Sequence, residues 1–126
     1  AVMLRRRDGG EKVKVAMSDL VDRVEGELER MQTDLLERAR RRTADNTVLA
    51  DSFDEVCEIL GEVTAERGGG RFVMAHVKDD PACDARLKEI RASVRCIPLV
   101  DRYDGPGRCI FTGEEVDRRV VVAKAY

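Results

Sequence analysis

From Leu20 onward, apolar side chains recur every three or four positions: Val21, Val24, Leu28, Met31, Leu35, Leu36 and Ala39. That spacing draws one apolar stripe along an α-helix and leaves charged residues on the rest of its surface. Ser18 stands where a helix N-cap would, with Asp19 in the first turn to suit the positive end of the helix dipole. The pattern runs to about Arg42 and divides the chain. Ahead of it, residues 2–6 and 12–16 flank Asp8-Gly9-Gly10, a turn signal, and read as a β-hairpin. Behind it lies enough chain for one small core.

In that second part Ser52 precedes a helix over 53–66, with Glu55 at the capping-box position and Phe53, Val56, Cys57, Leu60 and Val63 on one face. Gly68-Gly69-Gly70 breaks it. Residues 72–77 read as a strand, and Asp80-Pro81 opens a helix to about Ala92, with Pro where a missing N–H costs nothing. A strand follows over 94–100, stopped near Pro98. After a loop at 104–107 comes a short strand at 108–112, then a turn at 113–115 and a Val-rich strand at 118–125. The expected fold is α+β: a long helix, then a two-layer domain with a mixed four-stranded sheet and helices on one face.

Charge argues against a dedicated nucleic-acid binder. The 126 residues carry 23 Lys and Arg against 25 Asp and Glu, a net charge of −2, whereas such binders usually have a basic excess. The run Arg38, Arg40, Arg41 and Arg42 could touch RNA; the simpler reading is that cations stabilise a helix C-terminus by roughly 0.3–1 kcal/mol each. There is no run of 18 apolar residues and no signal-peptide core, so a soluble cytoplasmic protein is expected. Cys57, Cys83, Cys96 and Cys109 then read as buried thiols or the remains of a metal site rather than disulfides, with Cys57 in an apolar stripe. No Gly-rich phosphate loop, Ser/His/Asp set or H-E-x-x-H motif occurs.

Several segments, in order, carry a resemblance. Phe72-Val73 leads to Asp80-Pro81-Ala82-Cys83-Asp84, then to Arg95-Cys96-Ile97-Pro98, Gly107-Arg108-Cys109-Ile110 and the terminal Ala125-Tyr126. The set resembles the C-terminal domain of prolyl-tRNA synthetases of the archaeal/eukaryotic type. Leu4-Arg5-Arg6, Asp8 and Gly10-Glu11-Lys12 resemble the last hairpin of that family's anticodon-binding domain. The resemblance implies three parts: that hairpin at 1–17, a linker helix at 18–46 and the C-terminal, zinc-binding-like domain at 47–126. It implies a class II enzyme that joins proline to its tRNA using ATP with Mg, with the catalytic machinery upstream. A chain starting Ala1-Val2-Met3 is then expected to be an inactive, monomeric fragment of a homodimeric parent, with the catalytic and anticodon-binding domains and prolyl tRNA as partners. The alternative is a stand-alone RNA-binding or protein-interaction module derived from that domain.

Relatives of this kind often hold zinc through cysteine pairs spaced C-x4-C and C-x2-C, a spacing that lets two thiolates reach one tetrahedral centre. By resemblance Lys78 and Thr112 stand where the first and fourth cysteines would be, leaving Cys83 and Cys109, so zinc is not expected. Recruitment of His76 or Cys96 is the alternative. His76 lies in an apolar strand, where a hydrogen-bonded core or edge histidine is the ordinary outcome. The resemblance also implies that Tyr126 docks the C-terminus near the active site of the parent.

Overall fold

A computed structural model of the chain describes residues 1–61, 70–100 and 103–124. The expected end of the second helix, Gly68-Gly69 and Tyr126 lie outside the described residues. Two compact units are present, Ala1–Ala44 and Asp45–Tyr126.

In the first unit β1 (Val2–Leu4) pairs antiparallel with β2 (Val13–Val15), Val2 facing Val15 and Leu4 facing Val13. Gly9 and Gly10 have φ of 131° and 101°, a region closed to side chains on steric grounds, which lets the chain reverse here. The turn is held by Arg6. Its Nε and Nη2 donate to the two Asp8 carboxylate oxygens at 3.0 and 2.8 Å, and Nη2 also donates to Asp34 at 2.7 Å. These bonds hold the Asp8 carboxyl below its ordinary value.

Ser18 does not cap the helix. A single 3-10 turn, Met17–Asp19, comes first; Ala16 precedes it without a side-chain cap, and the Ser18 hydroxyl donates instead to Asp19 at 2.6 Å. The following α1 (Leu20–Asp45) is longer than its apolar pattern indicated. At 1.5 Å per residue its 26 residues extend about 39 Å. None of them is buried, and Val21, Leu28, Leu35 and Leu36 remain exposed.

The second unit is built on a mixed sheet of order β3-β4-β8-β5, flanked by helices. Its first strand, β3 (Thr47–Leu49), was not expected from the sequence. It runs parallel to β4 (Phe72–Ala75), with Val48 beside Val73, and α2 (Phe53–Gly61) lies in the connection that parallel pairing requires. Ser52 caps α2 as expected. Its hydroxyl accepts from the Glu55 N–H at 3.2 Å, while the Glu55 carboxylate reaches back to the Asp51 N–H at 2.7 Å. β4 pairs antiparallel with β8 (Val120–Lys124), which pairs antiparallel with β5 (Ala92–Cys96); a bulge interrupts the last pairing between Val94 and Cys96.

Helix α3 (Pro81–Glu89) begins as the sequence indicated, with Asp80 accepting from the Ala82 N–H at 2.8 Å and Pro81 in the first turn. It ends at Glu89, not Ala92, which already belongs to β5. Cys83 and Leu87, one turn apart, are its buried residues. With Val56, Leu60, Val73, Ala75 and Val122 they form one aliphatic core. Each fully buried Val or Leu contributes about 1.5–3 kcal/mol.

The segment 108–112 is not a strand of this sheet. Gly107–Arg108 (β6) and Glu115–Val116 (β7) form a separate two-stranded ribbon. Between them the chain turns tightly, Gly113 N–H donating to the Cys109 carbonyl at 2.9 Å with Gly113 at φ 72°. The apolar run Cys109-Ile110-Phe111 is packed against the core from this turn.

Arg91 joins α3 to β5 in the left-handed region, φ 56°, which costs a side-chain-bearing residue roughly 1–2 kcal/mol. Arg91→Gly is expected to match or exceed the wild-type melting temperature, and Arg91→Val to melt lower, destabilised by about 1–2 kcal/mol, because a β-branched residue tolerates this region least. Equal melting of the two variants in thermal unfolding would overturn the left-handed helix end.

Candidate functional site

The four positions singled out by their cysteine-like spacing come together. Cys83, in the first turn of α3, and Cys109, in the turn after β6, are 1% and 3% exposed, with their sulfurs 4.0 Å apart. The backbone N–H of Lys78 donates to Cys109 Sγ at 3.3 Å. Burial pushes the Cys109 thiol up, but backbone N–H groups of Phe111, Lys78 and Thr112 and the Thr112 hydroxyl together favour the thiolate more. The net result lies at about 7. Cys83 has no such set of donors, and burial followed by the neighbouring Cys109 pushes it up to about 11. The two sulfurs are in hydrogen-bond contact, and either can be the donor.

This donor set does not fit zinc, which takes four N, S or O ligands in structural sites. The Lys78 ammonium, without a lone pair, is turned to Glu114 at 2.7 Å; their mutual hydrogen bond raises the lysine and lowers the glutamate. Thr112 Oγ1 accepts from the Glu114 N–H at 3.3 Å. Among the described residues no group of three His, Cys, Asp or Glu side chains gathers, so neither His76 nor Cys96 joins the sulfur pair. Cys96 is exposed at the end of β5 and Cys57 is half-buried on α2. His76 is buried, its Nε2 2.7 Å from the Gly105 carbonyl, which can only accept, so Nε2 carries the proton. Its ring fills the space a Cβ on Gly107 would need, which explains glycine there.

Sequence reasoning missed the most connected side chain of this unit. Arg119, 4% exposed, donates from Nε to Asp104 at 2.6 Å and from Nη2 to Asp104 and Asp51 at 2.9 and 2.5 Å. Its Nη1 donates to the carbonyls of Ala50 and Met74 at 2.8 and 3.1 Å, so all five N–H groups have acceptors. The guanidinium holds the Asp104 carboxyl down to about 2. The dipeptide Arg118-Arg119 ahead of a valine run gave no sign of this, since a charged strand end is ordinarily solvated. A second unforeseen contact packs Phe53 against Phe111, centroids 5.0 Å apart and rings inclined at 53°, with the Arg86 guanidinium 5.3 Å from the Phe53 ring centroid.

On α1, Arg38, Arg40, Arg41 and Arg42 are all exposed near the C-terminal end, and Arg38 approaches Asp8 at 3.6 Å. No helix among the described residues is long and apolar enough to cross a membrane.

Comparison with known proteins gives a consistent answer. Residues 54–126 match the family model described as prolyl-tRNA synthetase, C-terminal. The chain is 37% identical over 122 residues to a proline–tRNA ligase of Flavobacterium johnsoniae, covering 96% of this chain and 23% of that protein. It is 40% identical over 135 residues to proline–tRNA ligase 2 of Anaeromyxobacter dehalogenans, covering all of this chain and 26% of the relative. The fold superimposes on prolyl-tRNA synthetase from Cryptosporidium parvum with a TM-score of 0.83 at 23% identity, over 98% of this chain and 25% of that one. The chain therefore spans about a quarter of the length of the relatives it matches.

The geometry makes two predictions. Because Asp104 lies near 2 in the fold against an ordinary 3.8, its stabilising contribution is complete above pH 4 or so and is lost as pH falls towards 2. Asp104→Asn is expected to lower the melting temperature at pH 7, with the gap to wild type closing over that acid window; a gap independent of pH would overturn the assignment. Second, Lys78→Cys combined with Thr112→Cys should supply four thiolates around one point and retain one zinc through gel filtration. A zinc-free double variant that still folds would show that the four positions do not converge on a tetrahedral centre.

Proposed function

Because the chain belongs to the prolyl-tRNA synthetase C-terminal family, we propose that it is the C-terminal accessory part of a proline–tRNA ligase, the enzyme that attaches proline to its tRNA using ATP with Mg. The observation that carries this reading is the alignment with proline–tRNA ligases over 96–100% of the chain, both units included. In this reading residues 1–17 are the last hairpin of the anticodon-binding domain, 18–46 the helix that follows it and 47–126 the C-terminal domain.

The uncovered stripe of α1 supports that placement. Val21, Leu28, Leu35 and Leu36 have helical spacing and remain roughly half exposed or more, so they offer an apolar face for the rest of an anticodon-binding domain. The accessory role is to brace that domain against the catalytic one; activation of proline and transfer to tRNA belong upstream. The exposed Arg38, Arg40, Arg41 and Arg42 provide a secondary contact to prolyl tRNA. Tyr126 docks the C-terminus beside the active site of the parent enzyme, which works in the cytoplasm as a homodimer.

The test uses the full-length enzyme, assayed for charging of prolyl tRNA and for proline-dependent pyrophosphate exchange. Removal of residues 47–126 is expected to lower charging strongly. Removal of Tyr126 alone is expected to lower it without changing the unfolding of this domain. Unchanged charging after the large deletion would overturn the accessory role, and unchanged charging after loss of Tyr126 would remove the docking.

A further inference from the structure

We propose that the open edge of β5, with the cleft between it and α3, docks an extended segment of another polypeptide that carries an aliphatic side chain with a basic one two positions away. The inference is independent of the proposed role in tRNA charging and rests on the second unit alone.

In the order β3-β4-β8-β5, β5 is an end strand, and among the described residues only β8 pairs with it. The N–H and C=O groups on its outer side are a template for one more strand, and edges of this kind are usually guarded by charged residues or proline. Here the guard is weak. Arg95 is drawn back to the Lys124 carbonyl of β8 at 2.7 Å, and proline arrives only at Pro98, after the strand. The bulge between Val94 and Cys96 confines the regular stretch to Ala92, Ser93 and Val94. Past it, Ile97, Leu99 and Val100 continue the edge as exposed apolar surface.

The cleft gives this edge a side-chain preference. It measures about 300 Å³, small for a whole ligand but enough for side chains of a peptide whose backbone stays outside. Val77, Val94 and Val120 line it with aliphatic carbon. Of the charged residues beside them, Lys78 is already committed to Glu114. Asp79, Asp84 and Lys88 are exposed and hold no ion pair among the described residues, which sets two carboxylates against one ammonium. Side chains alternate across a strand, so a residue paired opposite Val94 points to the same face as Val94 and into the cleft. An aliphatic residue suits that place. Residues two positions away share the face and meet the charged rim, where Lys or Arg complements the carboxylates. Main-chain hydrogen bonds supply the affinity of such docking, and the cleft its specificity.

The experiment titrates the isotope-labelled 126-residue chain with acetyl-Thr-Lys-Thr-Leu-Thr-Lys-Thr-amide and follows its backbone amides by NMR. This probe presents Leu between two Lys on one face whichever way it runs. Amide shifts are expected in β5 and α3. Methylation of the alternate peptide nitrogens that face β5 should abolish binding, while methylation in the opposite phase leaves it intact, a difference that apolar contact alone does not produce. A peptide with Asp in place of Leu should not bind. Asp79→Asn combined with Asp84→Asn, both at exposed positions, should weaken binding of the Lys peptide about fivefold at low salt. No shifts at millimolar peptide, shifts outside β5 and α3, indifference to the methylation phase, equal binding of the Asp peptide, or unchanged affinity in the double variant would each overturn the site. Self-association of the chain through β5 without peptide would overturn it too, by making a second copy the occupant.

Discussion

The second unit depends on one buried cation. Arg119 sits at the start of β8, where a guanidinium removed from water is costly unless every N–H is met and its charge is balanced. Three separate stretches of chain meet that demand: Ala50-Asp51 just after β3, with a carbonyl and a carboxylate, Met74 in β4 with its carbonyl, and Asp104 with its carboxylate. These contacts have consequences along the chain. Holding Asp104 places Gly105, whose carbonyl holds His76; the His76 ring lies against Gly107, and the His76 carbonyl accepts from the Ile110 N–H at 2.9 Å. Cys109 lies between those last two points, so its sulfur is set against Cys83 by a series of contacts that begins at Arg119.

That series bears on how this unit holds the sulfur pair in place. The backbone N–H groups that converge on Cys109 Sγ belong to the turn itself and to Lys78. A turn that aims N–H groups at a sulfur orients it whether or not a metal is bound, because the hydrogen bonds favour its charged form in either case. The turn is fixed from outside as well, by Phe111 packed against Phe53 and by Ile110 packed on the core. Metal binding can supply much of the folding free energy of a small domain. Here the contacts around the turn come from α2, α3 and β4, and a core of Val56, Leu60, Leu87 and Val122 lies beneath them.

The sequence was most legible where structure is local. The hairpin at Asp8-Gly9-Gly10, the Ser52 cap with Glu55, and Asp80-Pro81 at the head of α3 are each decided within about five residues, and each is present. Legibility failed where a distant partner decides. Thr47–Leu49 is too short to show alternation and becomes a strand only because β4 offers it a parallel edge. Cys109-Ile110-Phe111 is apolar like a strand, yet it is buried by a turn, so apolarity indicated burial and not extension. Arg119 was illegible because its acceptors are gathered from 15 to 69 residues away. The contact of Cys83 with Cys109 and the turn of Lys78 towards Glu114 join residues 26 and 36 positions apart and are visible only in three dimensions.

The long helix separates two things that amphipathic periodicity is often taken to mean together. In α2 the apolar positions of the pattern are covered, Val56 at 0% and Leu60 at 1% exposure, by the core of the same unit. In α1 the same kind of pattern leaves Leu28 at 56% and Leu36 at 50%. Periodicity therefore identified both helices, but only the fold states which face is already satisfied. An aliphatic stripe of this length in water carries a free-energy cost proportional to its exposed apolar area, and a covering surface would remove that cost. The hairpin and α1 lie outside the matched C-terminal family segment but inside the region aligned with full proline–tRNA ligases. In the proposed arrangement the rest of an anticodon-binding domain is that covering surface, and α1 is the link from its last hairpin to a domain whose own core is already closed.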